Sequence, residues 1–275
     1  MKKHDLEYIK SIASKIRCDI IKMTYLAGSQ GAHIGGGLSL VEILASLYFG
    51  ALKYDVACPE NPDRDRVVLS KGHGAIAWYS ALNHAGFIPQ EDLWTYKSNK
   101  TYITSHPGVH KDKGIEFASG SLGQGVSLGA GICMALKKDE NLNSRVFVIV
   151  GDGECNEGSV WEAAAFAYAQ KLNNLVCIVD RNHLQYDGDT KEVMDMGDLI
   201  SKWKAFGWDV ENIDGHDIES LCEAFNKKTN NPIAIICNTI KGKGVSFIEN
   251  DYKWHNARLT EEQYKKALAE QGVEV

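Results

Sequence analysis

A chain of 275 residues with 44% hydrophobic content is long enough to bury a complete core of its own. A formal net charge of −6, with acidic residues scattered and no basic stripe, argues against nucleic acid as a partner. Seven cysteines without a C-x-x-C pair or metal-ligand spacing suit a reducing cytoplasm, and the sequence has no continuous apolar segment for a signal peptide or membrane span.

Leu6, Ile9, Ala13, Ile16, Ile20 and Met23 recur every three or four residues, which predicts a long amphipathic helix before the Gly28 turn. A second helix fits Leu40 to Phe49, and a short strand fits Arg66 to Leu69. A Gly-rich turn, Gly120 to Gly125, leads into an apolar helix from Val126 to Leu136. The apolar runs Val146 to Val150 and Leu175 to Val179 read as buried parallel strands, and Ser159 to Leu172 between them has helical composition. Two more strands, Asp209 to Ile213 and Ile233 to Cys237, are separated by a helical stretch from Ile218 to Lys228. A Gly-Lys loop, His255 and a polar helix from Thr260 to Gln271 follow from about residue 239. Five strands alternating with helices predict an α/β fold, a doubly wound and mainly parallel sheet covered on both faces, as one domain over 1–275.

Within this pattern Gly151-Asp152-Gly153 ends one strand and Asn182 follows the next, forming a βαβ unit. Both strands of such a unit point the same way, so Asp152 and Asn182 are expected together at the carboxyl edge of the sheet, where open α/β folds bind ligands. A small hard cation such as Mg²⁺ takes about six oxygens and usually keeps diphosphate oxygens and water among them. Asp152 offers a carboxylate, Asn182 an amide oxygen and Leu184 a main-chain carbonyl. Gly151 and Gly153 are expected to let the backbone turn sharply and approach phosphate, with free N–H groups at the start of the helix near Ser159. An ordinary Gly-rich strand-to-helix turn is the plain alternative.

The segment from Gly151 through Asp152-Gly153-Glu154-Cys155-Asn156-Glu157-Gly158 to Val179-Asp180-Arg181-Asn182-His183-Leu184 resembles transketolase. The resemblance extends to Ala32-His33-Ile34-Gly35-Gly36, to Ser70-Lys71-Gly72-His73, to Ser105-His106-Pro107-Gly108, to Gly120-Ser121-Leu122-Gly123-Gln124-Gly125 and to Trp254-His255, so it runs from about residue 5 to residue 260. It implies the diphosphate-binding module of a thiamine-diphosphate-binding fold, with Mg²⁺ as the metal and Ca²⁺ or Mn²⁺ as substitutes. By motif match His33, His73, His106 and His255 are the candidate catalytic histidines. The resemblance gives His73 and His255 to the cofactor diphosphate and turns His33 and His106 toward substrate. His4, His84, His110, His183 and His216 have no such match and read as surface or satisfied core residues. Gly120 and Leu122 are expected at the cofactor rings, and Gly151, Gly153, Glu154 and Asn182 among its other contacts. Glu157 and Glu162 resemble interface carboxylates that relay protons between paired sites, and equally read as acidic residues at a helix amino terminus. Lys241 and Lys243 read either as a phosphate-binding loop or as solvated charge on a turn.

Nothing in the sequence matches the family's pyrimidine-binding module, which holds the glutamate that activates the cofactor. The resemblance therefore implies the amino-terminal subunit of a split transketolase, with a second chain as partner in a heterotetramer and a two-carbon ketol unit passed between sugar phosphates. The rivals are deoxyxylulose-phosphate synthase, which takes pyruvate, and a non-catalytic regulatory subunit that binds the cofactor; the oxoacid dehydrogenases share only the metal motif. Three positions depart from the family pattern: Ser121 and Ile34 stand where proline is frequent, and Tyr186 where an aliphatic residue is usual.

Overall fold

The computed structural model describes residues 5–139 and 143–274, so Lys2, Lys3 and His4 lie outside the described residues. Among the described residues five strands form one sheet: β1 (Arg66–Leu69), β2 (Val146–Gly151), β3 (Leu175–Arg181), β4 (Asp209–Asp214) and β5 (Ile233–Asn238), in the spatial order β1-β2-β3-β5-β4. Every pairing is parallel. Parallel neighbours need crossover connections, and the helices that supply them cover both faces.

The strands form where they do because both of their faces are apolar. Val146, Val148 and Val150 pack on one side with Leu175, Cys177, Val179, Ala234 and Ile236. Phe147, Ile149, Val176, Ile178, Ile233 and Ile235 pack on the other. A continuous β-branched run suits a strand buried on both faces, where alternate side chains feed separate cores.

In chain order the helices are α1 (Leu6–Leu26), α2 (Ile34–Leu38), α3 (Val41–Ser46), α4 (Ala75–His84), α5 (Gln90–Leu93), α6 (Gly125–Lys138), α7 (Gly158–Ala169), α8 (Thr190–Met194), α9 (Leu199–Ala205), α10 (Ile218–Asn226) and α11 (Glu261–Glu270). Ile16 of α1, Leu44 of α3, Trp78 of α4 and Phe225 of α10 join the Phe147 face, while Ala130 of α6, Ala164 of α7 and Trp203 of α9 join the Val148 face. The connection from β3 to β4 skips a position that β5 then fills by stepping back. With right-handed crossovers, those opposite steps put α9 and α10 on opposite faces.

The strands lie within two residues of where the sequence predicts them, and the doubly wound sheet is as expected. The helices that pattern reading missed each lack its signal. α4 is buried from Ala75 to Leu82 and so has no polar stripe, α2 is Gly-rich, and α5, α8 and α9 are at most seven residues long. The helix expected over Leu40 to Phe49 is α3 continued by a π turn, Leu47–Ala51.

Helix α6 lies close against β2 because Gly129 has no side chain: a Cβ there would stand 2.4 Å from Val148 Cγ2, whereas one at Gly131 would meet nothing within 4 Å. Gly129→Ala should therefore destabilise the chain through overpacking, typically about 1–3 kcal/mol less whatever the helix gains. Gly131→Ala should stabilise it by up to about 1 kcal/mol through helix propensity alone. Thermal melts showing the same sign for both would contradict this packing.

Candidate active site

Register pairs Ile149 with Ile178 and Gly151 with Asp180, so the chain leaves β2 and β3 at the same level. Asp152 and Asn182, both buried, stand side by side there. Asp152 Oδ1 accepts from Gly153 N at 2.8 Å and Oδ2 from His183 N at 2.6 Å. His183 takes φ +62°, and the bend leaves the next amide, Leu184 N, donating to Asn182 Oδ1 at 3.1 Å. The Leu184 carbonyl accepts from Lys241 Nζ at 3.0 Å, as does the carbonyl of Gln185. Asp152, Asn182 and Leu184 all line one cleft of about 270 Å³, together with His73, Leu122, Gly151, Gly153, Glu154, Glu157 and His255.

The histidines gather at this cleft from four separate segments. Ring centroids of His73 and His255 are 5.0 Å apart, His33 and His255 5.5 Å, His33 and His73 5.9 Å, and His33 and His106 5.3 Å. His106 is exposed and lines a second hollow with Gly120, whereas Tyr186, 63% exposed and lining the cleft, stands edge-on to His255 at 5.0 Å. Burial first, and neighbouring cations and imidazoles after it, lower His33 to about 4 and His255 to about 3. His73 is held well below its ordinary value for the same reasons, and His106 is lowered by burial and by Lys97. Burial, then Asp180, pushes Asp152 up to about 6. Lys241 is lowered to about 8 by burial and by Lys71.

Neither Gly151 nor Gly153 takes a positive φ. Gly153 is required for space instead, since a Cβ would stand 2.8 Å from Gln185 Cγ, and Gly151 is open, with nothing nearer than 3.9 Å. Helix α7 begins at Gly158, where the sequence places its start near Ser159. A short 3₁₀ turn, Gly153–Asn156, comes first, and Ser159 at the start of α7 donates to Gly123 O at 2.9 Å, which packs that helix end under the Gly123 turn.

The remaining candidates fall around this centre. Glu154 accepts from Gly123 N at 2.8 Å, Gly151 N at 3.0 Å and Ser70 Oγ, so both its oxygens are engaged in tying the Gly120–Gly125 turn to the β2 end. Leu122 reaches the cleft, whereas Gly120 lies against His106 and borders a second hollow of about 580 Å³ along β1. Glu157 stands at the cleft rim, and Glu162 is exposed on α7. Lys241 is 1% exposed in the cleft, while Lys243 is partly exposed and 3.8 Å from Glu249. His84 pairs with Asp19 and His110 lies against Tyr102, both apart from the cleft. His216 lies below it, its Nε2 accepting from Ile240 N at 2.8 Å beside Lys241. His216 is thus the satisfied residue that the sequence reading made it, but that reading gave no role to the buried Lys71 and Asp180 or to the polar pair Asn156 and Gln185. The one signal for Asp180 was a carboxylate closing an otherwise apolar strand.

The cleft's chemistry fits a cation with a diphosphate. Asp152 is a carboxylate whose charge burial disfavours and a cation would restore. Buried Gln185 Nε2 and Asn156 Oδ1, both at the cleft, have no hydrogen-bond partner within the protein. Gly151, with nothing nearer than 3.9 Å to where a Cβ would stand, leaves backbone open to a ligand at close range.

Comparison with known proteins agrees with that fit. Residues 9–275 match the family described as transketolase, thiamine diphosphate binding domain. The chain is 43% identical over 270 residues to the 6-deoxy-6-sulfo-D-fructose transketolase subunit SqwG of Clostridium sp. (strain MSTE9), covering 97% of this chain and 96% of that protein. It is 39% identical over 274 residues to one of the subunits of the apulose-4-phosphate transketolase of Actinobacillus succinogenes, covering 98% and 99%. Transketolase from Leishmania mexicana superposes with a TM-score of 0.89 at 28% identity, over 97% of this chain and 41% of that one. The chain thus spans about two fifths of the solved transketolase and nearly all of the two named subunits. It belongs to the transketolase family.

The lowered histidines make acid stability a measurement of the site. Unfolded imidazoles titrate near 6.5, whereas His255 stays neutral in the fold to about 3. Below pH 6.5 the unfolded chain therefore binds the extra proton, and stability falls as the pH drops from 6.5 toward 4, by on the order of 1 kcal/mol per pH unit for this group. Asp152, raised to about 6, acts in the opposite sense, so the informative quantity is a difference. The stability gap between the parent and His255→Gln should move in the variant's favour from pH 7 to pH 5; a gap moving toward the parent would contradict a neutral His255.

Proposed function

We propose that the chain is the diphosphate-binding subunit of a two-chain transketolase, forming one domain that holds thiamine diphosphate through Mg²⁺ and transfers a two-carbon ketol unit between sugar phosphates. The observation that carries this reading is the convergence of Asp152, Asn182 and the Leu184 carbonyl with the imidazoles of His73 and His255 and the Lys241 ammonium on one cleft. The names of the relatives, subunits acting on a sulfo sugar and on a sugar phosphate, support an anionic sugar as substrate and a second polypeptide as partner. The free cysteines support a reducing, cytoplasmic setting, and among the described residues no helix is long and apolar enough to cross a membrane.

In this reading Asp152, Asn182 and the Leu184 carbonyl, which also accepts from Lys241 Nζ, would provide the protein's oxygens to the metal. Thiamine diphosphate supplies the electron sink for breaking and making a carbon–carbon bond beside a carbonyl. Lys241 Nζ lies 3.1 Å from His255 Nδ1, so that nitrogen accepts and Nε2 carries the hydrogen, free to donate to a phosphate or sugar oxygen. His73 donates beside it. His33 is neutral at physiological pH and exchanges protons with sugar hydroxyls, with His106 beside it doing the same. Leu122 and Gly120 border the cofactor rings, Gly151 and Gly153 admit the phosphates, and Glu154 holds these turns together. Glu157 and Glu162 belong to the surface facing other chains. The partner brings the pyrimidine-activating glutamate, in a heterotetramer.

Asp152→Ala should weaken Mg²⁺-dependent retention of thiamine diphosphate by about 100-fold with the circular dichroism unchanged. Unaltered affinity, measured by calorimetry, would refute the metal assignment. A mixture of this chain with a pyrimidine-module chain should transfer two carbons from a ketose phosphate to an aldose phosphate, and neither chain should do so alone. Use of pyruvate as the donor in its place would overturn the substrate class.

A further inference from the structure

Asp180, in β3, is fully buried and does not line the cleft, although the cleft residues crowd around it. Its Oδ2 accepts from Ser39 Oγ at 2.6 Å, from Lys71 Nζ and, at 3.4 Å, from Asn182 Nδ2; its Oδ1 accepts from Thr239 Oγ1. Lys71 Nζ donates also to Gly36 O at 3.2 Å. Lys71 is 1% exposed and Asp180 0%.

What these donors share is where they come from. Ser39 ends the α2 segment that begins at His33, Lys71 stands two residues before His73, Asn182 is itself at the cleft, and Thr239 stands two residues before Lys241. Four stretches far apart in sequence thus meet on one carboxylate. Stability alone is a poor reason to keep such a group, because burying an ion pair costs about as much in desolvation as the attraction returns. Direction is a better one. A carboxylate offers fixed lone-pair positions, and each donor tied to one fixes the loop that bears it.

We propose that Asp180, paired with Lys71, is a positioning residue that sets the spacing of the His33, His73, Asn182 and Lys241 segments without touching anything bound in the cleft. The functional consequence rests on the cofactor reading above; the positioning itself does not.

Hydrogen–deuterium exchange on the full chain tests it without ligand. Asp180→Asn keeps the side-chain shape and removes the charge. Exchange should rise by about tenfold together in the peptides covering 33–39, 71–75, 182–186 and 239–242, while β4 and α10 keep the parent rates. Since an unpaired buried Lys71 is able to unfold the chain, Thr239→Val serves as the milder variant, removing one hydrogen bond, and Thr239→Ser should restore the parent pattern. A rise confined to 239–242 in Thr239→Val, a rise spread evenly over the sheet, or a failure of Thr239→Ser to restore the pattern would overturn the proposal. Calorimetric titration with thiamine diphosphate and Mg²⁺ is read separately. A parent chain that binds neither, alone or with a partner chain, removes the cofactor reading and leaves the exchange result standing; a parent that binds, with Thr239→Val equal to it in both affinity and exchange, removes the positioning role.

Discussion

The register of the parallel ladder is the constraint on which everything else rests. Leu69, Ile149, Ile178 and Ile235 form one row across β1, β2, β3 and β5, so these strands reach their carboxyl ends at one level. The residues just beyond each strand are then forced into the same small volume: Ser70 and Lys71, Asp152 and Gly153, Asn182 and Leu184, Thr239 and Lys241. A slip of one residue in any pairing would turn that strand's apolar set to the wrong face, and both faces are filled by packed cores. The core therefore fixes the site as firmly as it fixes the sheet.

The cleft built in this way has an unusual charge balance. Two lysines and several carboxylates are buried together, but the imidazoles around them are kept neutral by burial and by those same lysines. Neutral imidazole both accepts and donates, which suits proton exchange with hydroxyls, and it adds no positive charge to compete with a metal. Asp152 is held only by two amides, whereas Glu154 and Asp180 are engaged by three and four protein donors. That difference separates the acid open to a ligand from the acids that hold the architecture.

Tyr186 and Gln185 line the cleft just beyond β3. Tyr186 stands edge-on to His255 at the mouth, and the Gln185 side chain occupies the space that Gly153 leaves vacant.

By itself, the sequence determined the β-branched runs, the strands they form, their parallel alternation with helices, and the convergence of Asp152 with Asn182, because strand type and direction follow from local patterning and from one βαβ unit. The segments bearing His33, His73, His106 and His255 were legible too, though only through family motifs, since a lone histidine has no signature of its own. Tertiary structure alone decided how close the imidazoles stand, that Lys241 is buried while Lys243 is partly exposed, that Gly153 makes room for Gln185, and that Asp180 ties three distant segments to its own. The physical reason is range. Side-chain periodicity acts over a few residues, whereas burial, hydrogen-bond partners and the proton affinities they impose arise only when strand ends separated by tens of residues are brought to one edge.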